Sequence, residues 1–127
     1  MYKLSNRSRE RLNGINPILI ELIEEAIKTS PFDFGIPQYG GLRTAEDQHN
    51  LYLDKKSQCD GYSKLSYHQS GNAFDIYAYV DCKASWDKDH LTAIAEHIKC
   101  VAKDQFNMDI IWGGDWTRFV DMPHFQI

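Results

Sequence analysis

No apolar run in the 127-residue sequence approaches the roughly 20 residues of a membrane span or the core of a signal peptide, Ile18-Leu19-Ile20 being characteristic. The reading is therefore a chain made in the cytoplasm without an export signal. Cysteine is scarce: Cys59, Cys82 and Cys100 form no CxxC pair, so neither a disulfide framework nor a thiolate metal site is expected. Excess positive charge is also missing. With 14 Lys+Arg against 18 Asp+Glu, the net charge of −4 speaks against a nucleic-acid partner held by a broad basic surface. Repeats, low-complexity tracts and linkers are absent, and the length suits one domain over residues 1–127.

What is present is the composition of an ordinary globular core, with 43% hydrophobic residues. Residues 1–14 read as a polar arm or short helix. Asn16-Pro17 supplies an N-cap followed by proline at the first helical position, and Leu19, Leu22, Ile23, Ala26 and Ile27 repeat at helical spacing. A helix over 17–29 follows, ended by Ser30-Pro31. Residues 34–37 form a short extended candidate. Thr44 and Asp47 resemble a capping box opening a second helix over about 45–55, and residues 55–67 read as a surface loop. Ala73 to Val80 alternates as a half-buried strand, with Asp75 on its polar side. Leu91 to Ala102 carries one apolar stripe of a long helix from about 85 to 105, and strands are expected over 109–112 and 124–127. The sum is an α+β fold, a small antiparallel sheet with about three packed helices.

Two segments concentrate chemistry: Ser66-Tyr67-His68-Gln69-Ser70-Gly71-Asn72-Ala73-Phe74-Asp75 and Asp121-Met122-Pro123-His124. Zinc accepts imidazole nitrogen and carboxylate oxygen, and a catalytic site uses three protein ligands with one position left open. His68, Asp75 and His124 complete such a set. Seven residues of straight strand would separate His68 from Asp75 by roughly 23 Å, so the chain must fold back, and Gly71-Asn72 is a turn-forming pair where it is needed. Asp121, placed in a loop by Pro123, is positioned to act as a general base, and Arg43, always protonated, to stabilise an oxyanion.

Other candidates carry less. His90 and His97 are seven residues apart on one helix, about 10.5 Å in rise, too far to share a metal. His97 and Cys100 share a helix face but have no third soft ligand. His49 stays unassigned, and Trp112 and Trp116 are read first as packing residues.

The motifs Ser66-x-His68-x-x-Gly71-x-Ala73-x-Asp75, Trp112-Gly113-Gly114-Asp115-Trp116 and Asp121-x-Pro123-His124-Phe125 resemble the zinc peptidases of the VanY/D-alanyl-D-alanine carboxypeptidase group. The similarity is greatest to phage endolysins and bacterial L-alanyl-D-glutamate endopeptidases. Gly41-Leu42-Arg43-Thr44 with Gln48 matches the upstream arginine motif of that group, and the likeness runs from about residue 31 to the C-terminus. It implies zinc on His68, Asp75 and His124, Asp121 as base, Arg43 as transition-state stabiliser, and Ser66 and Gln48 as substrate-binding residues. It further implies the fold shared by these peptidases and Hedgehog-type domains. The activity implied is cleavage of the L-Ala-D-Glu bond of the peptidoglycan stem peptide; a monomer is expected, and without an export signal the chain is expected to reach the wall after the membrane is permeabilised. The alternatives are a D-alanyl-D-alanine carboxypeptidase or dipeptidase, and a non-catalytic zinc-containing peptidoglycan-binding module. The negative balance departs from the basic surface common among such endolysins.

Overall fold

The computed structural model describes residues 1–127, and its architecture is α+β. Helix α1 (Asn6–Arg11) is capped by Ser5, whose side chain accepts from the Ser8 N–H, and Leu12 beyond it is buried. The polar arm is thus pinned to the core. Helix α2 (Pro17–Thr29) has the bounds that its sequence dictates: the Asn16 side chain accepts from the Ile18 N–H, and the apolar stripe from Leu19 to Ile27 is buried. Helix α3 (Ala45–Leu53) starts at Thr44, whose hydroxyl accepts from the Asp47 N–H. Helix α4 (Lys88–Phe106) buries Leu91, Ile94, Ala95, Ile98, Val101 and Ala102, and packs against α2. It ends on Asn107, in the left-handed conformation at φ 49°. No helix is long and apolar enough to cross a membrane.

Six short strands make two three-stranded antiparallel sheets rather than the one sheet expected. They are β1 (Asp33–Gly35), β2 (Ala73–Asp75), β3 (Tyr77–Val80), β4 (Lys83–Ser85), β5 (Ile111–Trp112) and β6 (His124–Gln126). The orders are β1-β3-β4 and β2-β6-β5. The alternating run 73–80 is therefore two strands in different sheets. The break falls after Ile76: its N–H still donates to the Pro123 carbonyl, in register with β6, whereas Tyr77 already pairs with Gly35 of β1. Strand β4 shortens the expected start of the long helix, because Asp81 and Cys82, at φ 53° and 65°, close a two-residue hairpin that pairs Val80 with Lys83. That left-handed pair is the geometry usually signalled by Asn-Gly, which this sequence does not show there.

The second sheet carries the site. In its register Ala73 faces Gln126, Phe74 faces Phe125 and Asp75 faces His124. Phe74 and Phe125 point into the core, fully buried and stacked at 5.1 Å between centroids. Period two then sends Asp75, His124 and Gln126 to the opposite face. The aromatic pair thus fixes which side chains meet outside it. Phe74→Ala is expected to cost roughly 3–5 kcal/mol of stability, read as a lowered midpoint in urea unfolding.

Candidate metal centre

Three side chains converge on one point. His68 Nε2 lies 3.2 Å from Asp75 Oδ1 and 3.2 Å from His124 Nδ1, and His124 Nδ1 lies 3.2 Å from the same Asp75 oxygen. Each ligand atom arrives from a different local device. His68 sits on a single 3-10 turn, Tyr67–Gln69, opened by a capping box in which the Ser66 side chain caps the turn and Gln69 Oε1 accepts from the Ser66 N–H. Gly71, at φ 80°, then reverses the chain into β2, a conformation costly for any side chain with a β-carbon. Asp75 and His124 are opposed by the β2–β6 register.

The hydrogen bonds behind the two imidazoles fix their tautomers. His68 Nδ1–H donates to the Gly41 carbonyl at 2.9 Å, and His124 Nε2–H donates to Gln126 Oε1 at 2.7 Å. Both remaining ring nitrogens then present lone pairs to each other and to a carboxylate oxygen. Three acceptors held at 3.2 Å with no donor among them demand either an added proton or a cation. The edge of a tetrahedron with zinc bonds of about 2.0–2.1 Å is about 3.3–3.4 Å, so this donor set fits zinc in size and in chemistry. His68 and His124 are buried, and Asp75 is nearly so. These are the one group of metal-capable side chains of this kind in the chain.

The proton alternative appears in the titration directions. Burial pushes the Asp75 carboxyl up, but hydrogen bonds with His124 and His68 and the nearby charges outweigh it and hold the group well below the usual carboxylate range. For His124, burial favours the neutral ring, yet the hydrogen bond and charge of Asp75 prevail and raise its pKa above the ordinary 6.5. A proton and a metal compete for the same lone pairs.

Arg43 stands behind Asp75. Its Nη2 donates to Asp75 Oδ2 at 3.1 Å, Nε to the Tyr39 carbonyl at 2.7 Å, and Nη1 to Gln48 Oε1 at 3.1 Å. Burial lowers its pKa, and the charges of Asp75 and Asp121 oppose that shift. Gln48 has no exposed surface; its amide nitrogen donates to Ser57 Oγ at 2.8 Å and to the Cys59 carbonyl at 2.9 Å. It stands behind the arginine, with no face open to the cleft. Ser66 caps the His68 turn and also lines the cleft.

That cleft, about 680 Å³, has the triangle at its floor and Asp121 on its wall. Asp121 is open to solvent. Partial desolvation and the charge of Asp75 raise its carboxyl above the ordinary range, against the pull of His124, His68 and Arg43. Its backbone is close to Gly113, where a β-carbon would stand 2.2 Å from the Asp121 carbonyl oxygen. This explains one glycine of the Trp112–Trp116 motif. Trp112 is a packing residue whose indole N–H donates to the Met122 carbonyl, whereas Trp116 lines the cleft and its ring lies 5.4 Å from that of His124. His49, His90 and His97 lie outside the triangle, hydrogen-bonded to the Asp60 carbonyl, to Ser85, and to Thr29 with the Ala26 carbonyl.

Gln126 and the cationic cleft residues Lys55, Lys56, Lys64 and Arg118 escaped the sequence reading. Gln126 had a usable signal, being two residues from His124 on a strand. The cations had none, because they reach the cleft through loops.

Comparison with known proteins finds relatives along nearly the whole chain. The family model for phage L-alanyl-D-glutamate peptidase matches residues 1–125. The L-alanyl-D-glutamate peptidase of Escherichia phage T5 is 28% identical over 121 residues, 94% of this chain and 85% of that protein. The crystal structure of the Serratia marcescens L-Ala D-Glu endopeptidase ChiX superposes with a TM-score of 0.85 at 30% identity, covering 99% of this chain and 90% of that one. The L,D-carboxypeptidase DacB from Streptococcus pneumonia shares the fold, with a TM-score of 0.53 at 18% identity over 93% of this chain and 68% of that one.

Because the raised His124 pKa means that its ring binds a proton more readily, zinc affinity should fall as pH falls through that value. Chelator competition between about pH 7.5 and about pH 5.5 should show a loss approaching tenfold per pH unit at the acid end. Asp75→Asn should abolish tight uptake altogether.

Proposed function

The chain belongs to the phage L-alanyl-D-glutamate peptidase family, and from that premise we propose a zinc-dependent, endolysin-type endopeptidase that cuts the L-Ala-D-Glu bond of peptidoglycan stem peptides. The observation that carries the zinc assignment is the 3.2 Å triangle of acceptors, in which His68, Asp75 and His124 would hold the ion. Bound there, zinc supplies Lewis acidity, which polarises a carbonyl and acidifies water.

The other residues have separable tasks. Asp121, on the cleft wall, takes the proton of the attacking water on its carboxylate and delivers it to the leaving nitrogen. Its raised pKa brings it nearer to neutrality than an ordinary aspartate, which suits a group that must both accept and release a proton. Arg43 keeps its charge and turns Asp75 so that Oδ1 faces the two histidines while Oδ2 is occupied. At the edge of the same cleft its positive charge also favours the oxyanion that forms when the carbonyl is attacked. Gln48 positions Arg43, and Ser66 shapes the wall while holding the His68 turn.

In this reading residues 1–127 act as one catalytic domain. It works as a monomer, is made in the cytoplasm and meets the wall once the membrane is permeabilised.

Asp121→Asn is expected to lower kcat by about 10²–10⁴-fold with zinc content unchanged. The assay is mass spectrometry of fragments released from purified peptidoglycan, with a chelated sample alongside. New D-glutamate amino termini, absent after chelation, are the expected products; release of terminal D-alanine alone would replace the endopeptidase assignment with a carboxypeptidase one.

A further inference from the structure

The chain is acidic, but the cleft above the triangle is cationic. Five of its nineteen lining residues are Lys or Arg and two are Asp, whereas the whole chain has 14 basic residues against 18 acidic ones. Arg43 is ion-paired with Asp75. Lys55, Lys56, Lys64 and Arg118 enter no ion pair in the structure. All four line the cleft without an acidic partner.

Two of these lysines sit on backbone that is fixed in advance. Lys55 follows α3 in the left-handed conformation at φ 62°; its N–H donates to the Tyr52 carbonyl at 3.0 Å, and the Lys56 N–H to the Leu51 carbonyl at 2.9 Å. This is the helix ending at which glycine is strongly preferred, because a β-carbon is disfavoured there. Local backbone energetics argue against lysine at 55, and its placement on the cleft supplies the compensating reason. Lys64 belongs to a loop gathered by Asp60, whose Oδ1 accepts from the N–H groups of Tyr62, Ser63 and Lys64, each at 2.9 Å. Arg118 comes from the other side, on the segment between β5 and β6.

A peptide running through a glutamyl residue uses one of its two carboxyl groups and leaves the other free. In a bond between alanine and glutamate, that free carboxylate lies on the leaving side, a few bonds from the released nitrogen. Resting on the function proposed above, we propose that Lys55, Lys56, Lys64 and Arg118 form a carboxylate-reading rim. It selects stem peptides whose glutamyl residue keeps its free carboxylate over those in which that group is a carboxamide. A cationic cleft raises the local concentration of an anionic peptide and makes charge-assisted hydrogen bonds that a neutral amide cannot match.

The test compares cleavage of a synthetic acetyl-L-alanyl-D-glutamyl-lysine peptide with its carboxamide twin by the zinc-loaded full chain. The wild type is expected to prefer the free acid by about tenfold in kcat/KM, mainly through KM, as three or four exposed charge contacts would give together. The triple variant Lys55→Gly, Lys64→Gln, Arg118→Gln should cut the preference below about twofold with zinc content unchanged. A variant losing the same charge elsewhere, Lys3→Gln, Lys83→Gln, Lys88→Gln, should keep it. Lys55→Gly alone should raise KM for the acid peptide while leaving Tm equal or higher, a combination that a structural role does not produce. Equal cleavage of the two peptides by the wild type, a preference that survives in the triple variant, or one lost equally in the control would each overturn the rim while sparing the peptidase. Cleavage of neither peptide would overturn both.

Discussion

The register between β2 and β6 is the constraint on which the rest depends. Asp75 is opposite His124 only because Phe74 is opposite Phe125, and the two rings are locked in the core. A slip of one residue would turn the slipped strand's aromatic ring toward the cleft and its Asp75 or His124 side chain into apolar surroundings. The cost of burying a carboxylate or imidazole there, added to the loss of a buried ring, makes that alternative register prohibitive. The core therefore specifies two corners of the triangle, Asp75 and His124, and the capped turn Tyr67–Gln69 brings the third, His68.

What the core cannot supply is relief for three acceptors aimed at one point. The hydrogen bonds from His68 to Gly41 and from His124 to Gln126 place each ring's proton on the far side, leaving the near side electron-rich. Arg43 then binds the other Asp75 oxygen, and Gln48 binds Arg43, so the orientation of the carboxylate is set two residues deep. Such outer partners are characteristic of metal centres, where they hold ligand geometry ahead of the ion. The same arrangement raises the His124 pKa, which makes proton and metal rivals for one position.

Residue type and spacing made much of this legible. Helix α2 could be bounded to the residue because Asn16, Pro17 and Pro31 punctuate it, and the histidine and aspartate placements followed from a turn at Gly71 and a polar strand face at Asp75. The single strand over 73–80 could not be resolved into β2 and β3, because alternation persists through Ile76 while the pairing passes from β6 to β1 at Tyr77. The β3–β4 hairpin was hidden for a related reason: Asp81-Cys82 takes left-handed geometry without the glycine that advertises it. Gln48 was legible as part of the arginine motif, but its burial behind Arg43 depends on how α3 meets the loop holding Ser57 and Cys59. That is a tertiary contact with no local sequence signature.

Charge shows the same limit in another form. A net charge of −4 describes the chain at a distance greater than its own diameter, where salt already screens the sum. A ligand inside the cleft experiences something else, namely the side chains within about one Debye length, roughly 8–10 Å. There the unpaired cations come from two loops separated by more than fifty residues, from Lys64 to Arg118. Folding sorts the charges, placing cations over the site and leaving the acidic excess to the remaining surface. The absence of a broad basic face is thus compatible with attraction to an anionic peptide, because the attraction needs to act only where the bond is broken.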